Sequence, residues 1–185
     1  VFPDKLTYEA ANSFGAIVSF DLTTVNAVGE TTFYCDIESG TVLNVGTHNI
    51  NCFAIDEAGN ISTGSFIVEV VYNFTGIEQP ILQDEEINII KAGITVPIKF
   101  GLNGDMGLDV LKAESLVVYD FNPELKTIDY RTGVTPILTN GLKYDSKNDK
   151  YILNWKTEKS WNVKSKVFIL ELKDGREIAL YFTFK

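Results

Sequence analysis

Alternation of apolar and polar residues with period two recurs along this chain and constrains it most, because a segment so patterned buries a single face only as a β-strand. Two alternating segments, residues 31–37 and 47–55, carry the only two cysteines. Phe33, Cys35 and Ile37 share one face of the first segment, and Ile50, Cys52 and Ala54 share one face of the second. The stretch between them holds Gly40 and Gly46 at turn positions, so the segments can run antiparallel and bring the cysteines together. We read Cys35 and Cys52 as a disulfide stapling two strands, a bridge that would contribute about 3 kcal/mol for a loop of this length. An even cysteine count and core-facing placement favour an oxidised pair and place the chain outside the cytosol.

Further strands are expected over residues 6–9, 15–22 and 65–72, with Ala16, Val18, Phe20 and Leu22 on one face and Phe66, Val68, Val70 and Tyr72 on another. Residues 56–60 form a turn, and no segment of this half keeps a helical period, so short strands at this spacing indicate a sandwich. Residues 73–90 change character, with Gly76, Pro80 and the acidic group Asp84, Glu85 and Glu86. A boundary near 74 divides the chain into domains 1–73 and 74–185. Phe74, Ile77, Ile81 and Leu82 make the segment too apolar for a free linker, so it is expected to pack against the second domain. There, Ile94, Val96, Ile98, Phe100 and Leu102 alternate, and Pro97 demands an edge strand or a bulge. Residues 115–121 read as a strand. Hairpins follow around 146–149 and through Asp174-Gly175.

Composition excludes several function classes. A hydrophobic content of 45% with 12% aromatic residues provides a core rather than a disordered chain. The net charge of −9, with only 16 Lys and Arg, argues against nucleic-acid binding. No run of 18 or more apolar residues exists, so no membrane insertion is expected of this segment. The opening Val-Phe-Pro-Asp-Lys has neither an initiator Met nor a signal pattern, and the chain is expected to be a piece of a longer protein.

Gly15-Ala16, Cys35, Ser39-Gly40, Val45-Gly46-Thr47, Cys52, Ala54, Asp56, Gly59-Asn60 and Ser65-Phe66 together resemble a hyalin repeat (HYR) domain over residues 3–72. The resemblance implies an immunoglobulin-like β-sandwich of extracellular and cell-surface proteins linked to adhesion. One departure is Gly64, where many relatives carry a further cysteine. The second half, through Lys91-Ala92-Gly93, Val96-Pro97-Ile98-Lys99-Phe100, Gly104-Asp105, Gly107-Leu108, Leu142-Lys143-Tyr144-Asp145, Tyr151, Trp155-Lys156-Thr157, Trp161, Asp174-Gly175, Phe182 and Phe184, resembles the PxKF domain. That resemblance implies a β-rich module of exported microbial multidomain proteins, whose frequent cysteine pair is missing here. The fold class expected is therefore all-β, an immunoglobulin-like sandwich followed by a second sandwich-like domain.

Candidate chemistry is sparse. His48 is the only histidine and lies on the face of Ile50 and Cys52, which suits a structural role better than that of a base. Cys/His metal sites fail on ligand count. Two acidic turns, Asp56, Glu57 and Asn60, and Asn103, Asp105 and Asp109, are candidate calcium ligands, although neither has the spacing of an EF-hand loop and Asp or Asn can equally fix a turn. Trp155 and Trp161, with Tyr130, Tyr144 and Tyr151, are a candidate sugar-stacking platform, against the core parity of Tyr151, Leu153 and Trp155. Asn60-Ile-Ser62 and Asn73-Phe-Thr75 are candidate N-glycosylation sequons. The sequence holds no nucleophile-base set, no phosphate loop and no evident carboxylate pair. Its expected function is a non-catalytic, cofactor-free structural or adhesive module pair, secreted or on the cell surface. Its partners would be other domains of the same chain, a surface protein or a glycan. The alternative is a carbohydrate-binding accessory module attached to an upstream enzyme.

Overall fold

In the computed structural model, which describes residues 1–185, the chain folds as two all-β units, Val1–Tyr72 and Asn73–Lys185. Each unit begins and ends on strands that lie side by side and parallel. In the first unit the strands are β1 (Lys5–Glu9), β2 (Ala16–Val18), β3 (Thr31–Cys35), β4 (Thr41–Leu43), β5 (Gly46–Asp56) and β6 (Ile61–Val71). They form one sheet in the order β1-β6-β5-β3 and a second, two-stranded sheet of β2 and β4. The chain alternates between the sheets from β2 to β5, which is the connectivity of an immunoglobulin-like sandwich. Val18, Ile50, Val68 and Val70 are fully buried between the two layers.

Two local expectations change. Regular pairing of the strand expected over 15–22 ends at Val18, although Phe20 keeps the inward parity and meets the Phe66 ring edge-on at 4.9 Å. The cysteine segments are not a simple hairpin either. β4 lies between them and crosses to pair with β2, so the covalent bridge closes a crossover between sheets rather than a turn.

The second unit contains β7 (Ile87–Ile90), β8 (Thr95–Phe100), β9 (Val117–Asn122), β10 (Thr127–Val134), β11 (Ile137–Asp145), β12 (Lys150–Lys156), a 3-10 turn at Lys159–Trp161, β13 (Ser165–Glu171) and β14 (Glu177–Phe184). Its sheets have the orders β10-β9-β13-β14-β7 and β11-β12-β8. This too is an immunoglobulin-like connectivity, enlarged at one sheet edge by β10 and at the other sheet's edge by β11. Pro97 sits in β8, an edge strand, where its missing N–H interrupts no ladder. Segment 73–86 runs beside β8, with Thr75 N–H donating to Gly101 O at 3.0 Å and Glu78 N–H to Lys99 O at 2.9 Å.

An aromatic core holds this unit's sheets together. Trp155 on β12 is fully buried and lies 4.9 Å from Phe168, 5.1 Å from Phe182 and 5.7 Å from Trp161 between ring centroids. Lys166 is also buried. Its ammonium stands 2.6 Å from an Asp120 carboxylate oxygen and 5.1 Å from the Trp161 ring centre, so its charge is compensated on both sides. Buried Asn88 on β7 accepts from Leu82 N–H at 2.8 Å and donates to Leu82 O at 3.0 Å and Tyr181 O at 3.1 Å.

Candidate functional site

Cys35 and Cys52 lie directly opposite each other on β3 and β5 and are joined as a disulfide, leaving no free thiol. Across β5 on the other side, Cys52 faces Gly64 of β6. The Phe2 ring packs on that glycine so closely that a Cβ there would come within 2.4 Å of it, so an aromatic ring occupies the space a further side chain would need. His48 Nε2–H donates to the Asn44 carbonyl at 2.8 Å, a loop-fixing bond.

The acidic turns are anchored by protein donors. Asp56 accepts from Asn60 N–H at 2.8 Å, Asn60 Nδ2 at 2.9 Å and Val28 N–H at 3.0 Å. These bonds, that of the Asn60 side chain first, hold its carboxyl at about 2. Gly29 lies beside the Glu57 side chain. In the second turn Asp105 accepts from Gly107 N–H at 2.9 Å, Asp109 pairs with Lys173, and Asn103 takes a left-handed backbone with φ 59°. Asp149, from the β11–β12 turn, accepts from Gly104 N–H at 3.0 Å and from the Tyr144 hydroxyl at 2.7 Å, and the latter bond pushes Tyr144 up to about 12. No three His, Cys, Asp or Glu side chains converge in one place. Of the sequon residues, exposed Asn60 has its amide nitrogen bound to Asp56, and Asn73 is half-buried at the start of the second unit.

The tryptophans do not form the expected sugar platform, and of its rings Tyr130 alone is largely exposed. Trp155 and Tyr151 are fully buried and Trp161 is 5% exposed, so none presents a ring face to solvent. Tyr151 instead stacks on Phe100 at 5.3 Å and 15°, and its hydroxyl accepts from Met106 N–H at 2.6 Å. Burial is the main cause that raises its hydroxyl to about 12. Alternation along β12 places Tyr151, Leu153 and Trp155 on the core face, and Trp161 on the following 3-10 turn packs against the Trp155 ring.

Accessible aromatic rings occur elsewhere. On the first unit, Tyr34 and Phe53 stack at 4.9 Å and 19° as a cross-strand pair on the outer face of the four-stranded sheet, 52% and 43% exposed. On the second unit, the outer face of the five-stranded sheet carries Tyr119 and Phe121 on β9, Tyr181 on β14 and Tyr130 on β10. Phe121 and Tyr181 lie 4.7 Å apart and reach toward each other across β13, above fully buried Val167, which is paired with both Tyr119 and Tyr181. Tyr130 meets Tyr119 edge-on at 5.2 Å. A shallow cleft of about 90 Å³ opens beside the first ring pair, lined by Glu85, Ile87, Phe121, Pro123, Lys126 and Tyr181. Lys126 Nζ bridges to Glu85 Oε2 at 3.0 Å across its mouth. Burial is the main cause that raises the Tyr181 hydroxyl, with the Glu85 charge second. The sequence signal for this face was weak, because β10 lacks alternation and Tyr119, Phe121 and Tyr181 become neighbours only through the sheet order.

No family model matches the sequence, and no curated protein matches it. Among solved structures, the chain is similar to the Bacteroides ovatus mixed-linkage glucan utilization locus protein SGBP-B, solved with a mixed-linkage heptasaccharide. That match has 16% identity and a TM-score of 0.29, and it covers 99% of this chain but only 46% of the other. It is similar also to the fibronectin(III)-like modules of Clostridium thermocellum CbhA, at 13% identity over 98% of this chain and 90% of the other, TM-score 0.28. The human desmocollin-1 ectodomain matches at 13% identity over 99% of this chain and 35% of the other, TM-score 0.25. At such identities and TM-scores the likeness identifies neither a family nor a ligand.

Proposed function

We propose that residues 1–185 are a non-catalytic pair of immunoglobulin-like modules, hyalin-repeat-like then PxKF-like, from a secreted or cell-surface protein in which they serve as spacer and adhesive architecture. The observation that carries this reading is the Cys35–Cys52 disulfide in the first all-β unit, since such bridges persist in oxidising compartments and are rare in the cytosol. Further support comes from the positions of the residues that carry the two resemblances. Asp56, Gly59 and Asn60 build the β5–β6 turn, where Gly59 N–H donates to Asp56 O at 2.9 Å. In the second unit Phe100 and Trp155 are core, and Thr157 donates through its hydroxyl to Ile94 O at 2.7 Å, closing the β12–β8 pair. The motifs thus act as determinants of packing, as a scaffold module requires.

The mechanism is mechanical. β1 pairs in parallel with β6, and β7 with β14, so tension applied to the ends of either unit loads those hydrogen bonds in shear. An antibody raised against residues 1–185 should label intact, unpermeabilised cells that make the parent protein. Labelling only after permeabilisation would overturn the localisation, and hydrolysis of a polysaccharide or peptide by the isolated chain would overturn the non-catalytic assignment.

A further inference from the structure

The cleft on the second unit combines aromatic floor, paired charges and unusual backbone in one place. Its floor is the Phe121–Tyr181 pair with Ile87, and Pro123 forms one wall. Lys126 and Glu85 form the mouth, 72% and 71% exposed. An ion pair so exposed contributes little to stability, so its donor and acceptor can turn to a ligand at small cost. Both residues adopt left-handed backbone, with φ 51° at Lys126 and 64° at Glu85, and Asp84 beside Glu85 does so at 60°. Non-glycine residues rarely take this conformation, and where they do it is often at a ligand clamp. Here Glu85 and Lys126, from two different turns, line the same cleft as the rings.

The lining restricts what can bind. An anion would meet Glu85 and a cation would meet Lys126, while a wholly apolar ligand would gain nothing from the donor and acceptor at the mouth, so the balanced pair favours a neutral, hydroxyl-rich molecule. Aromatic floors take a flat ligand with an apolar face. A pyranose has both features, with C–H groups on its faces and hydroxyls around its rim. The cleft volume of about 90 Å³ is too small to enclose a ligand and suits one ring of a chain that continues across the surface. Tyr119, two residues before Phe121, stands about 7 Å along β9 and with exposed Tyr130 offers a second aromatic station in the strand direction.

We propose that the outer face of the five-stranded sheet binds neutral polysaccharide, with one pyranose stacked on Phe121 and Tyr181 between Lys126 and Glu85 and another reaching Tyr119 and Tyr130. This goes beyond the scaffold reading and does not depend on it: failure of cell-surface labelling leaves the glycan site standing, and failure of glycan binding leaves the scaffold.

The test is affinity electrophoresis of the 185-residue chain in gels containing hydroxyethylcellulose, xyloglucan, galactomannan or arabinoxylan, with polygalacturonate and alginate as anionic counterparts. Retardation by at least one neutral polysaccharide and by neither anionic one is expected. Tyr181→Ala should weaken it at least about tenfold, and Lys126→Ala and Tyr130→Ala each about threefold, as judged by a loss of 1.4 kcal/mol per tenfold change. Tyr34→Ala, on the exposed pair of the first unit, should leave it unchanged. Tryptophan fluorescence reports whether each second-unit variant is folded, because Trp155 and Trp161 both lie in that unit. Should Tyr181→Ala unfold, the two exposed-site variants decide. No retardation by any neutral polysaccharide, retardation by the anionic ones alone, or retardation that survives Lys126→Ala and Tyr130→Ala together would overturn the proposal.

Discussion

Half-buried Asp56 accepts three hydrogen bonds, two from Asn60 and one from Val28, and so ties the β5–β6 turn to the segment before β3. Those bonds favour its charged form and hold its carboxyl at about 2, below the ordinary 3.8. In the same unit the Asn51 side chain lowers Asp36, and in the second unit the Arg131 side chain holds Asp129 at about 2. A carboxyl whose folded pKa is depressed contributes stability that is fully present above the unfolded value and lost as pH falls through the folded one. Both units should therefore lose thermal stability between about pH 4 and pH 2. Asp56→Asn keeps an acceptor oxygen without a titrating proton, so the first unit's melting temperature should fall less steeply with pH in that variant. Far-UV circular dichroism melts at several pH values read this slope, and an unchanged slope would remove Asp56 as a source of the acid sensitivity. The same residue shows how an acidic turn can be fixed by local donors to its carboxylate.

β7 is held by Asn88 as much as by its ladder. Its side chain satisfies both Leu82 backbone groups and the Tyr181 carbonyl of β14 from a buried position. Asn88→Ala leaves those groups short of partners and should destabilise the second unit by about 3 kcal/mol, given the penalty for buried unsatisfied polar groups. Urea unfolding followed by tryptophan fluorescence measures this, and a loss below about 1 kcal/mol would mean that water replaces the amide without penalty. Such tertiary bonds also mark the limit of what was legible in the sequence. Parity placed Phe33, Cys35, Ile50, Cys52, Phe66 and Val68 correctly, because a two-layer sandwich makes each strand half-buried. β4 has only three residues and β7 follows an acidic turn, so neither presented a readable period. β10 was lost for another reason. A bulge between Asp129 and Val134 breaks its register, and Thr132 there turns its hydroxyl oxygen to Asp120 N–H at 2.8 Å instead of continuing the ladder. The aromatic face was illegible with it, because its rings come from β9, β10 and β14 and only sheet order makes them neighbours.

At the scale of the whole chain, two units of the same connectivity are stabilised by different means. The first has two short strands in its second sheet and a covalent bridge; the second has a three-stranded second sheet, a tryptophan-centred core and no cysteine. The bridge spans a sequence separation of 17 residues and should contribute about 3 kcal/mol by restricting the unfolded chain. Reductant should therefore lower the unfolding midpoint of residues 1–72, read by protease sensitivity, while tryptophan fluorescence of the second unit stays at its oxidised midpoint. Pulling the chain from its ends gives an independent reading of the same asymmetry. Each unit should resist as its first and last strands shear, giving two rupture events. With the disulfide intact, the segment 36–51 between the cysteines cannot extend, and reduction should lengthen the first unit's release by about 55 Å at about 3.5 Å per residue. The second unit's release should be the same length in both conditions. Equal loss of both midpoints on reduction, or a single rupture event, would mean that the two units unfold as one, and the bridge would then have to be understood as a stabiliser of the whole chain.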